Sequence, residues 1–498
     1  MDDILQLYER ASAESTAIAN VKGEAINYAS LLTFARRFGD SLASVGIKGD
    51  DRVAIVMRNG PQMATTFASC SPWCAVAPLN PAYTADEFEY YLTDLETDLL
   101  LVEAGFKSPV LEVAKRVGIQ TVEIDIELGL DGVDFGTGNA TRQLRTLESI
   151  ALILHTSGTT SKPKMVPLSQ KNLLASAQNI AETLELTEAD RCLNVMPLFH
   201  IHGLMAPIMA TLYAGASVVC TSGFDALRFY AWLEETSPTW YSAVPTMHQA
   251  ILARAKRNVE SVSRNRLRFV RSSSASLPVP VLSGLEETFG TRVVEAYAMT
   301  EAAHQMCSNP LPPRERKPGT VGPAAGPKVR IADTADLKFL APGHEGEIVI
   351  CGENVTNGYI NNPEANAKDF IDGWFRTGDL GIMDEDGYVK VTGRLKEIIN
   401  RGGEKIAPLE VDDVLLDHPA VEQACTFAIP HEKLGEEVGA ILVVREGESV
   451  AKDELQRFAR ERLAPFKVPR EIMFLPDIPK GPTGKVQRIG MAERIGLV

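Results

Sequence analysis

Ser149-Ile-Ala-Leu-Ile-Leu-His155 runs straight into Thr156-Ser-Gly-Thr-Thr-Ser-Lys-Pro-Lys164. The first stretch is a short apolar run of the kind that fills a buried strand. The second is a loop dense in hydroxyls, with one glycine, closed by a lysine. Hydroxyls, accessible backbone N–H groups and a cation are what polyphosphate oxygens need. The loop is not the GxxxxGK[ST] motif, because the second glycine and the Lys-Ser/Thr pair are missing. Alone it reads as an ordinary solvated turn, so its meaning depends on partners elsewhere in the chain.

Strands and helices alternate on either side of this segment. Arg52-Val-Ala-Ile-Val-Met57 reads as a buried strand, and Ala25 to Phe38 carries an apolar helical stripe. The alternation predicts α/β layers with largely parallel sheets. Near residue 345 the texture changes to shorter strands with Gly-rich turns, Gly346–Cys351 and Gly387–Thr392. Past residue 394 a compact α+β module begins, with helices at Leu409–His418 and Asp453–Leu463 and strands at Cys425–Ile429 and Gly439–Val444.

The chain has 498 residues, 45% hydrophobic and 23% charged, a balance that fits a globular protein of two or more domains. It holds 65 acidic and 50 basic side chains, a net charge of −15. That charge opposes nucleic-acid binding and anionic membrane surfaces. The seven cysteines are scattered, and Cys70 and Cys74 have no second pair to complete a zinc site. No uninterrupted apolar run approaches the roughly 18 residues of a membrane span. The first residues lack a signal-peptide core, and the last are not Ser-Lys-Leu. These features predict a cytoplasmic protein, a monomer or weak homo-oligomer, with small-molecule partners.

Four further segments give the hydroxyl-rich loop its partners. In Ala296-Tyr-Ala-Met-Thr-Glu301 an aromatic ring stands four residues before a carboxylate, as suits a stacked base and a Mg²⁺ ion. In Trp374-Phe-Arg-Thr-Gly-Asp379 a carboxylate after a tight glycine is suited to both ribose hydroxyls. Thr392-Gly-Arg-Leu-Lys-Glu397 places Arg394 and Lys396 at the edge of the small module. Gly481-Pro-Thr-Gly-Lys485 presents a lysine on a rigid turn, as suits developing negative charge.

Together these segments resemble the adenylate-forming superfamily of acyl-CoA synthetases, luciferases and peptide-synthetase adenylation domains. The resemblance covers essentially the whole chain, with the motifs in order. It implies a large N-terminal domain of layered α/β subdomains over residues 1–393, a hinge at 394–397 and a small mobile α+β domain over 398–498. It also implies ATP and coenzyme A as co-substrates with Mg²⁺, and two half-reactions through an acyl-adenylate. By that resemblance Lys164, Thr300 and Lys485 are catalytic and Glu301 holds the metal. Thr156, Ser157, Gly158, Thr159, Thr160, Ser274, Glu295, Ala296, Tyr297, Thr300, Asp379, Arg394 and Lys485 take the nucleotide. Arg401, Gly402 and Gly403 belong to the coenzyme A channel, where a missing Cβ lets the backbone approach, and Lys396 is the hinge. The chain departs from the family pattern in carrying Ser161 and Met165 where glycine is usual.

The acid is read from the pocket segments. A fatty-acyl or aryl pocket calls for small apolar residues. Pro197-Leu-Phe-His-Ile-His-Gly203, Arg271-Ser-Ser-Ser-Ala-Ser-Leu277 and Ala302-Ala-His304 offer hydroxyls and imidazoles instead. Such donors suit a second carboxylate held close to the reacting one. The strings Ser274-Ala-Ser-Leu277, Glu295-Ala-Tyr-Ala-Met-Thr-Glu-Ala-Ala-His304 and Ile399-Asn-Arg-Gly-Gly-Glu-Lys-Ile406 are similar to those of plant and fungal oxalate–CoA ligases. The expected substrate contacts are His202, Ser274, Ser276 and His304. His200 is expected to be structural, and Arg271 to be a strand-end arginine at the surface, held in reserve as an acid contact. Malonate, another small or medium-chain acid, and a retired nucleotide-binding scaffold are the alternatives; a carrier-protein partner is disfavoured because no carrier module follows.

Overall fold

The structure is a computed structural model and describes residues 3–125, 145–156, 163–480 and 486–498. The chain forms two compact units. One spans Met1–Thr156, Pro163–Lys328 and Ile350–Phe375, the other Val329–Val349 and Arg376–Val498.

Two sheets organise the first unit. The six-stranded sheet runs, in spatial order, Gln120–Ile124, Leu99–Glu103, Arg52–Val56, Ala75–Pro78, Ile150–Thr156 and Lys164–Ser169. All neighbours are parallel except the last pair. Parallel strands covered on both faces read as continuous apolar runs. Val53 to Val56 and Leu99 to Val102 are accordingly buried throughout. The eight-stranded sheet runs His304–Ser308, Arg292–Met299, Phe269–Ser273, Trp240–Ala243, Arg191–Asn194, Ser217–Cys220, Thr16–Asn20 and Ala25–Asn27. Only its two edge strands are antiparallel.

The expected helix from Ala25 starts later. Ala25–Asn27 is the edge strand, and the helix runs Tyr28–Ser44. Asn27 ends the strand and caps the helix, its side chain accepting from the Ser30 N–H. The stripe Leu31, Phe34, Ala35, Phe38 and Leu42 then faces the core.

The second unit starts earlier in the chain than residue 394. Lys328–Ala332, Glu345–Cys351, Trp374–Met383 and Val389–Arg394 are strands of one sheet, which ties Val329–Val349 to the segment after Arg376. Beyond it lies an α+β module. Val421–His431 and Gly435–Val444 form a long antiparallel ribbon, with Glu471–Phe474 added in parallel. Helices Pro408–Leu416 and Lys452–Arg460 pack Val411, Leu415, Leu455 and Ala459 against Val438, Ala440 and Leu442. Both predicted helices and both predicted strands of this module are present, the strands longer than expected.

Candidate active site

The hairpin Ile150–Thr156 and Lys164–Ser169 presents the hydroxyl-rich loop. Thr156 and Lys164 pair across it and hold its two ends together. Ser157, Gly158, Thr159, Thr160 and Ser161 lie outside the described residues, as does Lys485. Met165 is buried and packs into the core of the six-stranded sheet, so its bulk goes inward.

Lys164 Nζ donates to Asp369 Oδ2 at 2.7 Å and stands 4.2 Å from the centre of the Tyr359 ring. The Tyr359 hydroxyl donates to Glu301 Oε1 at 3.0 Å. Burial, and then the neighbouring Glu301 carboxylate, push the phenol well above its ordinary range. Lysine, aromatic ring and two carboxylates thus form one cluster. Motif reading found Lys164 and Glu301 but not Tyr359 or Asp369. Gly358-Tyr359, a glycine-turn aromatic before a helix start, was an available signal; Asp369, at the end of the helix Pro363–Asp369, gave none.

Glu301 lies in the single 3₁₀ turn Thr300–Ala302 that ends the strand Arg292–Met299. On that strand Tyr297 is half-buried and Ala296 is buried, its carbonyl accepting from Ser273 Oγ at 2.9 Å. Glu295 is also buried, and its carboxylate accepts from the Leu277 N–H at 2.9 Å. It therefore braces the Ser274–Leu277 turn. Mg²⁺ takes few protein ligands and fills its shell with water and substrate phosphates. Among the described residues no group of three or more His, Cys, Asp or Glu is placed to hold a metal ion. Glu301 is the carboxylate that would hold such an ion, which fits a site sharing its metal with substrate phosphates.

The acid-pocket segments converge at the carboxyl ends of the eight-stranded sheet, where open α/β sheets take their ligands. His202 lies one residue before Gly203, where a Cβ would stand 2.2 Å from the Pro197 carbonyl oxygen. The next turns, Leu204–Ala210, are π-helical and include Pro207, an irregularity common at functional sites. His202 and His304 stack at 4.8 Å between ring centres. His202 Nδ1 is 3.0 Å from Ser274 Oγ, and its Nε2 is 2.6 Å from Ser242 Oγ. Ser274, Ala303 and His304 have φ of 76°, 45° and 100°. Non-glycine residues held there cost on the order of 1–3 kcal/mol each and gather at functional sites. Asn354 holds the last two in place, donating to the carbonyls of Ala302 and Gln305 at 2.8 and 3.0 Å.

Arg271 departs from expectation. It is 0% exposed, not at the surface. The strand Phe269–Ser273 is flanked on both sides by parallel neighbours, so a side chain on its covered face is sealed in. Its Nη1 donates to His304 Nε2 at 3.1 Å and Ser242 Oγ at 3.3 Å, and its Nη2 donates to Gln305 Oε1 at 3.1 Å. Ser276, two residues past Ser274, is exposed and joins none of these bonds among the described residues. His200 is half-buried against Phe199.

In the second unit Asp379 and Arg394 are cross-strand partners, and Arg394 Nε donates to Asp379 Oδ1 at 2.6 Å. Lys396 is exposed in the 3₁₀ turn Leu395–Glu397. Arg401 makes a forked pair with Glu437. Gly402 and Gly403, at φ 62° and 98°, are the two-residue turn between Ile399–Arg401 and Glu404–Ile406. A hairpin turn with both φ positive demands glycine for its own reasons.

These elements belong to a known family. Residues 7–360 match the AMP-binding enzyme model and residues 410–485 match the AMP-binding enzyme C-terminal domain. The chain belongs to the AMP-binding enzyme family and is an AMP-forming CoA ligase by that kinship. It is 44% identical over 475 residues to the oxalate–CoA ligase of Arabidopsis thaliana, covering 93% of this chain and 92% of that one. It is 41% identical to the oxalate–CoA ligase of Saccharomyces cerevisiae, covering 89% and 86%. Among solved structures, the ATP-bound MatB of Rhodopseudomonas palustris superposes with a TM-score of 0.90 at 28% identity, covering 99% of each chain. No described helix is long and apolar enough to cross a membrane.

Proposed function

We propose that this protein is an ATP-dependent oxalate–CoA ligase, converting oxalate, ATP and coenzyme A to oxalyl-CoA, AMP and diphosphate. The observation that carries the reading is the polar cluster of buried His202, His304 and Arg271 with half-buried Ser274, placed where a hydrocarbon pocket would be apolar. Burying a carboxylate without donors is prohibitively costly. A short acid with a second carboxylate beside the reacting one is what these donors accommodate. The kinship with two oxalate–CoA ligases points the same way.

In the first half-reaction a carboxylate oxygen attacks the α-phosphorus and the diphosphate leaves. Two anions must approach, so catalysis is chiefly positioning and charge neutralisation. Lys164 and Lys485 meet the phosphates, and Thr156 to Thr160 cradle them. Thr300 holds the α-phosphate. Tyr297 stacks on adenine along the Glu295–Ala296 strand. Asp379 and Arg394 hold the ribose, exchanging part of their mutual bond for hydroxyl contacts. Glu301 would hold Mg²⁺, which when bound would supply charge neutralisation on the phosphates. His202, Ser274 and His304 bind the second carboxylate; Ser276, exposed here, is a lesser contact. In the second half-reaction the coenzyme A thiol sulfur bonds to the acyl carbon and AMP leaves. Arg401, Gly402 and Gly403 belong to the thiol's approach. Lys396, in a short 3₁₀ connector, is the hinge that exchanges Lys485 for that face. Seven free cysteines, six of them buried, fit a cytoplasmic location.

The test is AMP formation by purified protein with Mg-ATP and coenzyme A across oxalate, malonate, succinate, acetate, octanoate and 4-coumarate. The expected kcat/KM for oxalate exceeds the others at least about a hundredfold, about 2.7 kcal/mol of transition-state discrimination. Preference for octanoate or 4-coumarate would sink the acid assignment and keep the family. Nucleotide binding without AMP from any acid would favour a retired scaffold.

A further inference from the structure

Arg271 is a buried cation with no carboxylate partner among the described residues. None of its bonds goes to a carboxylate among the described residues, and its Nε has no partner there. Burial pushes its guanidinium down to about 9, which leaves it charged at neutral pH. An unpaired buried charge is expensive, so such a group is retained for a counter-ion that arrives from outside.

The hydrogen-bond directions say how the charge is delivered. A guanidinium only donates. His304 Nε2, which receives from Arg271 Nη1, must therefore carry its lone pair, placing the His304 proton on Nδ1. Ser242 Oγ also receives from Nη1, and the same Nη1 faces His202 Nε2 at 3.5 Å; facing a group that only donates, that nitrogen too carries its lone pair and accepts the Ser242 hydroxyl proton at 2.6 Å. His202 then donates from Nδ1 to Ser274 Oγ, and Ser274's hydroxyl proton is left to donate. Gln305 cannot turn over, because its Nε2 donates to the Ala325 carbonyl and Thr183 Oγ1 at 3.2 Å each. One buried cation thus sets two imidazoles neutral, in one tautomer, with their donor nitrogens directed away from it.

We propose that Arg271 is a positioning and specificity-determining residue: it fixes the protons of His304 and His202 and supplies, through them, the positive charge that selects a dianionic acid over a monoanionic one. This rests on the oxalate reading above. Direct salt-bridging is not required, since the charge acts across the imidazoles in a site of low dielectric.

Oxamate separates the two kinds of acid, because it matches oxalate in shape but replaces one carboxylate by a neutral amide. The experiment measures KM and kcat for oxalate and the competitive Ki of oxamate in wild type, Arg271→Met and Arg271→Lys. Melting temperature and its shift with Mg-ATP report folding. In Arg271→Met the KM for oxalate is expected to rise about a hundredfold, with the oxamate Ki changed less than about threefold. Arg271→Lys, which keeps the charge and a donor, is expected to hold the oxalate-over-oxamate preference within about tenfold of wild type. Equal losses for the two acids would overturn the proposal and make Arg271 purely structural. If Arg271→Met does not fold, the lysine variant decides alone: loss of the preference overturns, retention supports. A wild type that makes no AMP from oxalate would overturn the underlying reading instead, a result visible before any variant is assayed.

Discussion

Lys164 holds a carboxylate, Asp369, and the same cation is assigned to the phosphates of ATP. The two bonds compete for one ammonium. Lys164→Ala is expected to lower kcat/KM for adenylation about a hundredfold or more, about 2.7 kcal/mol or above, read by acid-dependent ATP–pyrophosphate exchange. Asp369→Asn removes the competitor and is expected to lower the KM for Mg-ATP several-fold at constant kcat. A raised KM would mean that Asp369 aims the lysine instead of sequestering it. Legibility at this scale follows from sequence distance. Lys164, Glu301, Asp379 and Arg394 each sit in a short motif that carries its own chemistry. Asp369 meets Lys164 across 205 positions, and nothing local marks it. Arg271 was misplaced at the surface for the same reason. An arginine at a strand end looks alike whether the strand is an edge or is walled in, and the walls here are Trp240–Ala243 and Arg292–Met299.

Elements were easier to read than their ends. Parallel strands announced themselves as apolar runs, and the amphipathic helices of the small module by their period. The helix expected from Ala25 lost its first residues to an edge strand because Asn27 caps better than it propagates. The turn Gly402-Gly403 shows how one element can answer to two demands. Its positive φ values satisfy the hairpin, and a Cβ on Gly403 would meet nothing within 4 Å. Open space therefore surrounds this position. Gly403→Ala is expected to cost about 1–2 kcal/mol of stability through its left-handed backbone. It is also expected to raise the KM for coenzyme A, leaving ATP–pyrophosphate exchange near wild type. Loss of stability with an unchanged KM for coenzyme A would reduce this glycine to a turn former.

At the scale of the whole chain, the two proposed half-reactions share one acyl-adenylate but are assigned different neighbours, Lys485 for the first and Arg401 to Gly403 for the second. A connector able to take two backbone conformations meets that need. Leu395–Glu397 is one 3₁₀ turn between the strand ending at Arg394 and the strand starting at Ile399. So short a turn has few hydrogen bonds to break. Proline at 396 would fix its own φ near −65° and restrict Leu395 as well, so one conformation of the connector would be lost. Lys396→Pro is expected to separate the half-reactions: one of acid-dependent ATP–pyrophosphate exchange and thioester formation stays within about threefold of wild type, while the other falls at least about tenfold. Lys396→Ala, which removes the exposed side chain and leaves the backbone free, is expected to lower both by less than about threefold. Equal losses in both reactions for the proline variant would place the pivot elsewhere, since damage to a shared nucleotide site slows both steps, whereas a blocked rotation slows only the one that lies on its far side.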